Sequence, residues 1–159
     1  MQTLEAAHYI ARELVKEKAK IVILSGSAAR DKENPKDLDI AAVFQAENRL
    51  LDRQYRSDLV KRLESEVGQK LDLFDFNERN IERLIEFYNK NPIALCSNLN
   101  WDCIDNVKDQ WKGWPLAWIM GDKAREALDP YGCFQDEFIV LEGESYLAEL
   151  RGKVKVVKK

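Results

Sequence analysis

Three aspartates on two short apolar segments are the residues of this sequence best suited to chemistry. Asp37 and Asp39 lie two apart in Asp37-Leu38-Asp39, and Asp72 lies between two leucines. In a β-strand, residues two apart project from the same face, so Asp37 and Asp39 are predicted to point together. Two carboxylates about 4 Å apart repel by about 4 kcal/mol at an effective dielectric of about 20. A divalent cation or a shared proton relieves that repulsion, and Mg²⁺ prefers such oxygen ligands while leaving room for substrate phosphates.

A glycine–serine pair after another apolar segment supplies the second half of a phosphate site. Gly26-Ser27 directly follows residues 20–25, which are short and rich in β-branched side chains, and the next three residues tolerate a helix. Backbone N–H groups at such a turn and the Ser27 hydroxyl favour an anion, to which Arg30 adds positive charge. The turn and the acids together predict a triphosphate held against a metal ion, which is a site for phosphoryl or nucleotidyl transfer.

The elements that must position these residues alternate between helix and strand. Helices are predicted where apolar residues recur at helical spacing, and strands where a short apolar run is bounded by turn residues. The last predicted helix should end before Asn91-Pro92, because a proline disfavours helical backbone in the residue before it. This alternation predicts an α/β or α+β sheet covered by helices. The predicted elements are helix 3–18, strand 20–25, strand 37–44, helix 50–67, strand 70–76 and a helix from residue 81.

Beyond residue 92 the hydrophobic spacing weakens. All four tryptophans lie between Trp101 and Trp118, where packing in a core or interface is the commoner role and stacking on a base or acceptor is the alternative. A strand is predicted at residues 138–141. The basic C-terminal tail is compatible with a final edge strand, with a frayed terminus, or with contact to nucleic acid or an acidic partner.

Composition excludes several classes of protein. A chain of 159 residues suffices for one domain, or for one domain with an appendage, and its net charge of −3 disfavours a general nucleic-acid binder. No apolar run approaches the ~18 residues that span a bilayer, and the first twenty residues contain no signal-peptide core. Because His8 is the only histidine, catalytic triads and multi-histidine metal sites are excluded. Three cysteines without a signal indicate reduced thiols in a cytoplasm.

The order of these motifs resembles the DNA polymerase beta-like nucleotidyltransferase superfamily, in particular its minimal nucleotidyltransferases. The family pattern is a hydrophobic residue with Gly-Ser, a gap of about ten residues, Asp-hydrophobic-Asp, and a third acid on a later strand. The matching segments here are Leu24-Ser25-Gly26-Ser27, Asp37-Leu38-Asp39-Ile40 and Leu71-Asp72-Leu73. The resemblance implies an α+β fold whose mixed sheet has helices packed mainly on one face. It also implies a catalytic core at 1–90 and an aromatic-rich extension at 91–159 packed on that core.

The resemblance further implies a role for each site residue. The metal-binding residues would be Asp37, Asp39 and Asp72. They would hold one or two Mg²⁺ ions that bridge the nucleotide phosphates, and Asp72 would also help to activate the acceptor hydroxyl. Gly26 and Ser27 would bind the β- and γ-phosphates, with Arg30 adding charge.

The implied reaction is an in-line attack of an acceptor hydroxyl on the α-phosphate of an NTP, with pyrophosphate leaving. ATP is the expected donor, so that AMP is transferred. Some small members of the family are antitoxins that adenylylate a partner toxin of the HEPN type, and others modify aminoglycoside antibiotics. A protein acceptor suits the small size of this chain.

Departures from the family pattern favour a second hypothesis, a binding or scaffold protein that keeps the fold without turnover. Ala28, Asp31 and Lys36 stand where the family often has an arginine or aromatic, a glycine, and a serine, respectively. The third acid also has a competitor in Asp75, which lies three residues after Asp72 and therefore faces the opposite side of the strand. The Leu-Asp-Leu-Phe-Asp-Phe string resembles the family's third strand with its first acid catalytic, which favours Asp72.

Overall fold

The computed structural model describes residues 2–30, 37–90 and 138–153. Helices and strands alternate in the described chain, as predicted. A short 3-10 turn, Arg49–Leu51, precedes the third helix. The elements are α1 (Thr3–Lys16), β1 (Ala19–Ser25), α2 (Gly26–Arg30), β2 (Leu38–Phe44), α3 (Arg53–Val67), β3 (Leu71–Asn77), α4 (Glu78–Lys90), β4 (Ile139–Glu142) and α5 (Glu144–Lys153). Within the described ranges, no helix has the length and hydropathy that crossing a membrane requires.

The four strands found among the described residues form one mixed sheet in the order β3-β2-β1-β4. Strand β1 runs antiparallel to both of its neighbours, whereas β2 and β3 are parallel. The predicted α+β class with a mixed sheet is therefore confirmed. The fourth strand comes from the segment after residue 90, so both predicted parts of the chain contribute to the sheet, and a catalytic boundary at residue 90 stays a prediction.

Helices α1 and α3 pack on one face of this sheet. The apolar stripe of α1 and the buried leucines of α3 meet every second residue of β1 and β2, because side chains alternate between the two faces of a strand. The core on this face includes Ala7, Ile10, Leu14, Val22, Leu24, Leu38, Ile40, Ala42, Phe44, Leu59 and Leu63. Helix α1 ends at Lys16, two residues earlier than predicted, because Lys18 takes a left-handed backbone conformation with φ 71°.

Glu17, at the end of α1, is a buried carboxylate held by two partners. Its side chain is 6% exposed. Arg49 donates to it from Nη2 at 2.6 Å and from Nε at 3.2 Å, and the Tyr55 hydroxyl donates to Oε1 at 2.5 Å. The hydrogen bond to Glu17 raises the pKa of the Tyr55 hydroxyl. This cluster ties the end of α1 to the start of α3.

We expect Glu17→Ala to lower the free energy of unfolding by about 2–3 kcal/mol, because it removes the common partner of the Arg49 guanidinium and the Tyr55 hydroxyl. Urea denaturation measures this loss. The matched control is Glu5→Ala on the exposed side of α1, where a change within about 0.5 kcal/mol is expected. Equal losses in the two variants would show that the cluster contributes nothing specific.

Candidate active site

Two of the predicted acids, Asp39 and Asp72, are cross-strand neighbours. The parallel pairing of β2 with β3 aligns Asp39 with Asp72. Both project from the face opposite the α1 and α3 core, because the residues that flank them contribute to that core. Both side chains are half-buried. Because neighbouring strands lie about 4.8 Å apart, the two carboxylates repel each other across the strand pair. A divalent cation would offset this repulsion.

Asp37 lies just before β2 rather than within it. The sequence predicts a strand over 37–44, but the structure has a bend at Asp37 and begins the strand at Leu38. The Asp37 side chain is half-buried. That it points in the same direction as the Asp39 side chain stays a prediction. Among residues 2–30, 37–90 and 138–153, no three acidic, histidine or cysteine side chains converge into a metal cluster. The Asp39–Asp72 pair still fits Mg²⁺, which is usually bound by one or two carboxylates together with substrate phosphates and water.

Gly26 brings the backbone of the β1–α2 turn against the Asp39 carboxylate. It has φ +67°, in the left-handed region that favours glycine. A Cβ atom at this position would overlap Asp39 Oδ2. Glycine is therefore required twice, by the backbone conformation and by the contact. The predicted turn into a short helix is present, and its first residue adjoins one of the predicted metal ligands.

The remaining phosphate-binding candidates lie in α2. Ser27 and Arg30 belong to this helix, and binding of phosphate by their side chains stays a prediction. Ala28 is fully buried and belongs to the α1 and α3 core, so this departure from the family pattern affects packing. Other sequence features lie outside the described residues. These are Asp31, Lys36, the three cysteines, the tryptophans from Trp101 to Trp118, and the tail from residue 154.

Ser25 contacts Asp39, and the sequence pattern does not reveal this contact. It is 2% exposed and aligns with Asp39 across β1 and β2. Its hydroxyl donates to the Asp39 carbonyl at 3.3 Å. This bond ties the end of β1, next to Gly26, to the residue that carries the acid. Only the antiparallel register brings the two residues together.

The competing acid, Asp75, has a different partner. Arg56 Nε lies 2.9 Å from Asp75 Oδ1, and Arg56 Nη2 donates to the Leu73 carbonyl at 2.6 Å. Asp75 aligns with Ala42 and projects from the opposite face to Asp72. The exposed Lys70 has its Nζ 4.0 Å from Asp72 Oδ1. This arrangement favours Asp72 as the third acid and gives Asp75 an ion pair with α3.

The chain matches one described family and is similar to solved toxin–antitoxin structures. The family described as "Polymerase beta, Nucleotidyltransferase" matches residues 9–99. A crystal structure of a mutant of the toxin–antitoxin pair MntA-HpeT is 18% identical, with a TM-score of 0.42, covering 65% of this chain and 96% of that chain. A structure of the tri-AMPylated Shewanella oneidensis HEPN toxin in complex with MNT antitoxin is 20% identical, with a TM-score of 0.39, covering 67% and 97%. No curated protein matches significantly.

Proposed function

Because the chain belongs to the polymerase beta nucleotidyltransferase family, we propose that it transfers a nucleoside monophosphate from an NTP to an acceptor hydroxyl. ATP is the proposed donor and AMP the transferred group. The observation that carries this proposal is the register of Asp39 with Asp72, with the glycine of the Gly-Ser turn directly against Asp39. Two acids on one face of a sheet beside a glycine turn are an arrangement suited to a metal-bound triphosphate.

In the proposed site the acidic residues bind the metal ion, and the residues of the Gly-Ser turn bind the phosphates. Asp39 and Asp72, with Asp37, would hold Mg²⁺, which when bound neutralises phosphate charge and polarises a phosphoryl oxygen. At Gly26 the missing side chain leaves room for the Asp39 carboxylate to lie against the backbone of the turn. The Ser27 hydroxyl would donate to a phosphate oxygen.

In the proposed reaction one bond to the α-phosphorus of the NTP forms and another breaks. The acceptor oxygen bonds to the α-phosphorus while the bond from that phosphorus to the pyrophosphate oxygen breaks. Asp72 accepts the proton that the acceptor hydroxyl loses, and the Arg30 guanidinium would balance the charge of the departing pyrophosphate. The chain therefore needs no histidine for this reaction.

We propose a protein acceptor, a toxin of the HEPN type, for this transfer. Two solved structures to which the chain is similar are toxin–antitoxin complexes, and in one of them the HEPN toxin is tri-AMPylated. Residues 1–90 would carry the catalytic core, and the aromatic-rich extension at 91–159 would offer a surface to the partner. The proposed location is the cytoplasm, where NTPs are available and cysteines stay reduced.

The test is transfer of label from nucleotide to acceptor. The purified chain is incubated with Mg²⁺, each α-³²P-labelled NTP in turn, and either a lysate of its source or a co-expressed HEPN partner. Labelled protein and released pyrophosphate are measured together. We expect transfer from ATP with one pyrophosphate per label. Tight NTP binding without transfer to any acceptor would overturn the enzymatic proposal and support the scaffold hypothesis.

The two candidate third acids can be separated by matched substitutions. We expect Asp72→Asn to reduce transfer about 100-fold, because it removes a carboxylate beside Asp39. Asp75→Asn should stay within about threefold of the unmodified protein, since an asparagine oxygen still accepts a hydrogen bond from Arg56. Initial rates at saturating ATP measure both effects. A larger loss for Asp75→Asn than for Asp72→Asn would reverse the assignment.

A further inference from the structure

Helix α3 makes two hydrogen bonds to the outer edge of strand β3. Glu64 Oε2 accepts from the Leu71 N–H at 2.9 Å, and Arg56 Nη2 donates to the Leu73 carbonyl at 2.6 Å. Among the described residues, β3 is an edge strand of the sheet, and no described strand pairs with its outer side. The two bonds reach the residues immediately before and after Asp72.

The inner edge of β3 is hydrogen-bonded to β2 around the same residue, Asp72. The Leu38 N–H donates to the Lys70 carbonyl at 2.9 Å, and the pairing then runs in register from Leu38 to Phe44. Backbone groups alternate between the two edges of a strand. The peptide groups around Asp72 are therefore bonded to β2 on one edge and to α3 on the other.

The helix that supplies these bonds is itself well anchored. Asp52 caps its N-terminus through Oδ1, which accepts from two backbone N–H groups, and Gly68 ends it in a left-handed conformation. The buried Leu59 and Leu63 fix it to the core. Arg56 is also paired with Asp75 at 2.9 Å, which restricts the guanidinium further. Both bonds to β3 thus come from a helix that is capped at both ends and packed against the core.

We propose that Arg56 and Glu64 are positioning residues that hold Asp72 beside Asp39, and this inference rests on the proposed function, in which that pair binds the divalent cation. A slip of one residue would move Asp72 to the opposite face of the sheet. An edge strand without outer partners is the strand most exposed to such slippage or to pairing with another chain. The Arg56 and Glu64 side chains prevent both the slippage and the pairing with another chain at the position of Asp72.

The test measures Mn²⁺ binding to the full chain, from the electron paramagnetic resonance signal of free Mn²⁺. We expect Arg56→Met to weaken binding about tenfold in the otherwise unmodified protein. In the Asp72→Asn background the same substitution should change binding less than twofold, because the residue acts through Asp72. Arg53→Met, on an exposed arginine of the same helix, is the control and should leave binding unchanged.

A second pair of variants separates positioning from charge and from loss of fold. Glu64→Gln keeps an oxygen that accepts from the Leu71 N–H and should bind Mn²⁺ like the unmodified protein, whereas Glu64→Met should weaken binding. Thermal unfolding establishes that each variant is folded. Equal weakening by Arg56→Met in both backgrounds, or Mn²⁺ affinity that does not depend on Asp72, would overturn the inference. Mn²⁺ binding that follows the expected pattern in a chain without transfer activity would support the inference and contradict only the proposed reaction.

Discussion

Asp39→Asn is expected to reduce nucleotidyl transfer by at least about 10³-fold, the largest effect of any single substitution in the site. Asp39 adjoins Asp72 across the parallel strands, the Gly26 turn across the antiparallel pair, and Ser25 through its own carbonyl. An amide binds a divalent cation far more weakly than a carboxylate does, and a factor of 10³ corresponds to about 4 kcal/mol of transition-state free energy. Transfer of α-³²P from ATP measures the loss.

The fold of the Asp39→Asn variant should be preserved. An asparagine has the same shape as an aspartate and still fits against the Gly26 turn. Urea denaturation without metal should therefore give a free energy of unfolding within about 1 kcal/mol of that of the unmodified protein. A variant that transfers AMP at a rate within tenfold of the unmodified chain would rule out Asp39 as a metal ligand.

Gly26→Ala is expected to damage both activity and stability. The left-handed φ of +67° is unfavourable for alanine, and the added Cβ would overlap Asp39 Oδ2, so that the acid or the turn must move. The strained backbone costs about 1–3 kcal/mol in the free energy of unfolding. Displacement of a metal-binding carboxylate by about 1 Å can reduce the rate about 100-fold. Denaturation and transfer assays on the same preparation measure the two effects.

The matched control for this substitution is Gly68→Ala. Gly68 has nearly the same backbone conformation, with φ +74°, but a Cβ there meets nothing within 4 Å. Because a Cβ at Gly68 contacts no acid, the substitution should cost only the backbone strain, about 1 kcal/mol of stability. Activity per folded molecule should stay within twofold. If Gly68→Ala reduced transfer as much as Gly26→Ala, backbone strain alone would explain the loss and contact with Asp39 would be irrelevant.

Local spacing determined most of the elements. Hydrophobic periodicity places α1, α3 and the three strands of the N-terminal part close to their observed bounds, because helix and strand formation depend on which face of a short segment is apolar. The glycine that ends α3 was also readable as a cap. The end of α1 and the start of β2 differ by one or two residues, since ends depend on individual backbone angles.

The candidate site was only partly readable from the sequence. The spacing of Asp37 and Asp39 and the position of the Gly-Ser pair are local features, and with the family resemblance they predicted the class of chemistry. The choice between Asp72 and Asp75 could not be made from neighbouring residues in the sequence alone. It depends on the parallel register that puts Asp72 beside Asp39 and on an arginine from another element that pairs with Asp75.

By itself the sequence determined that this protein has an acid pair and a glycine turn on alternating helices and strands. Each of these features depends only on residues a few positions apart in the chain. The tertiary structure decided which groups meet. Ser25 reaches Asp39, the Gly26 turn adjoins the same acid, and α3 bonds the strand edge on both sides of Asp72. Each of these contacts joins residues brought together by strand register or helix packing, which depend on burial of the whole core.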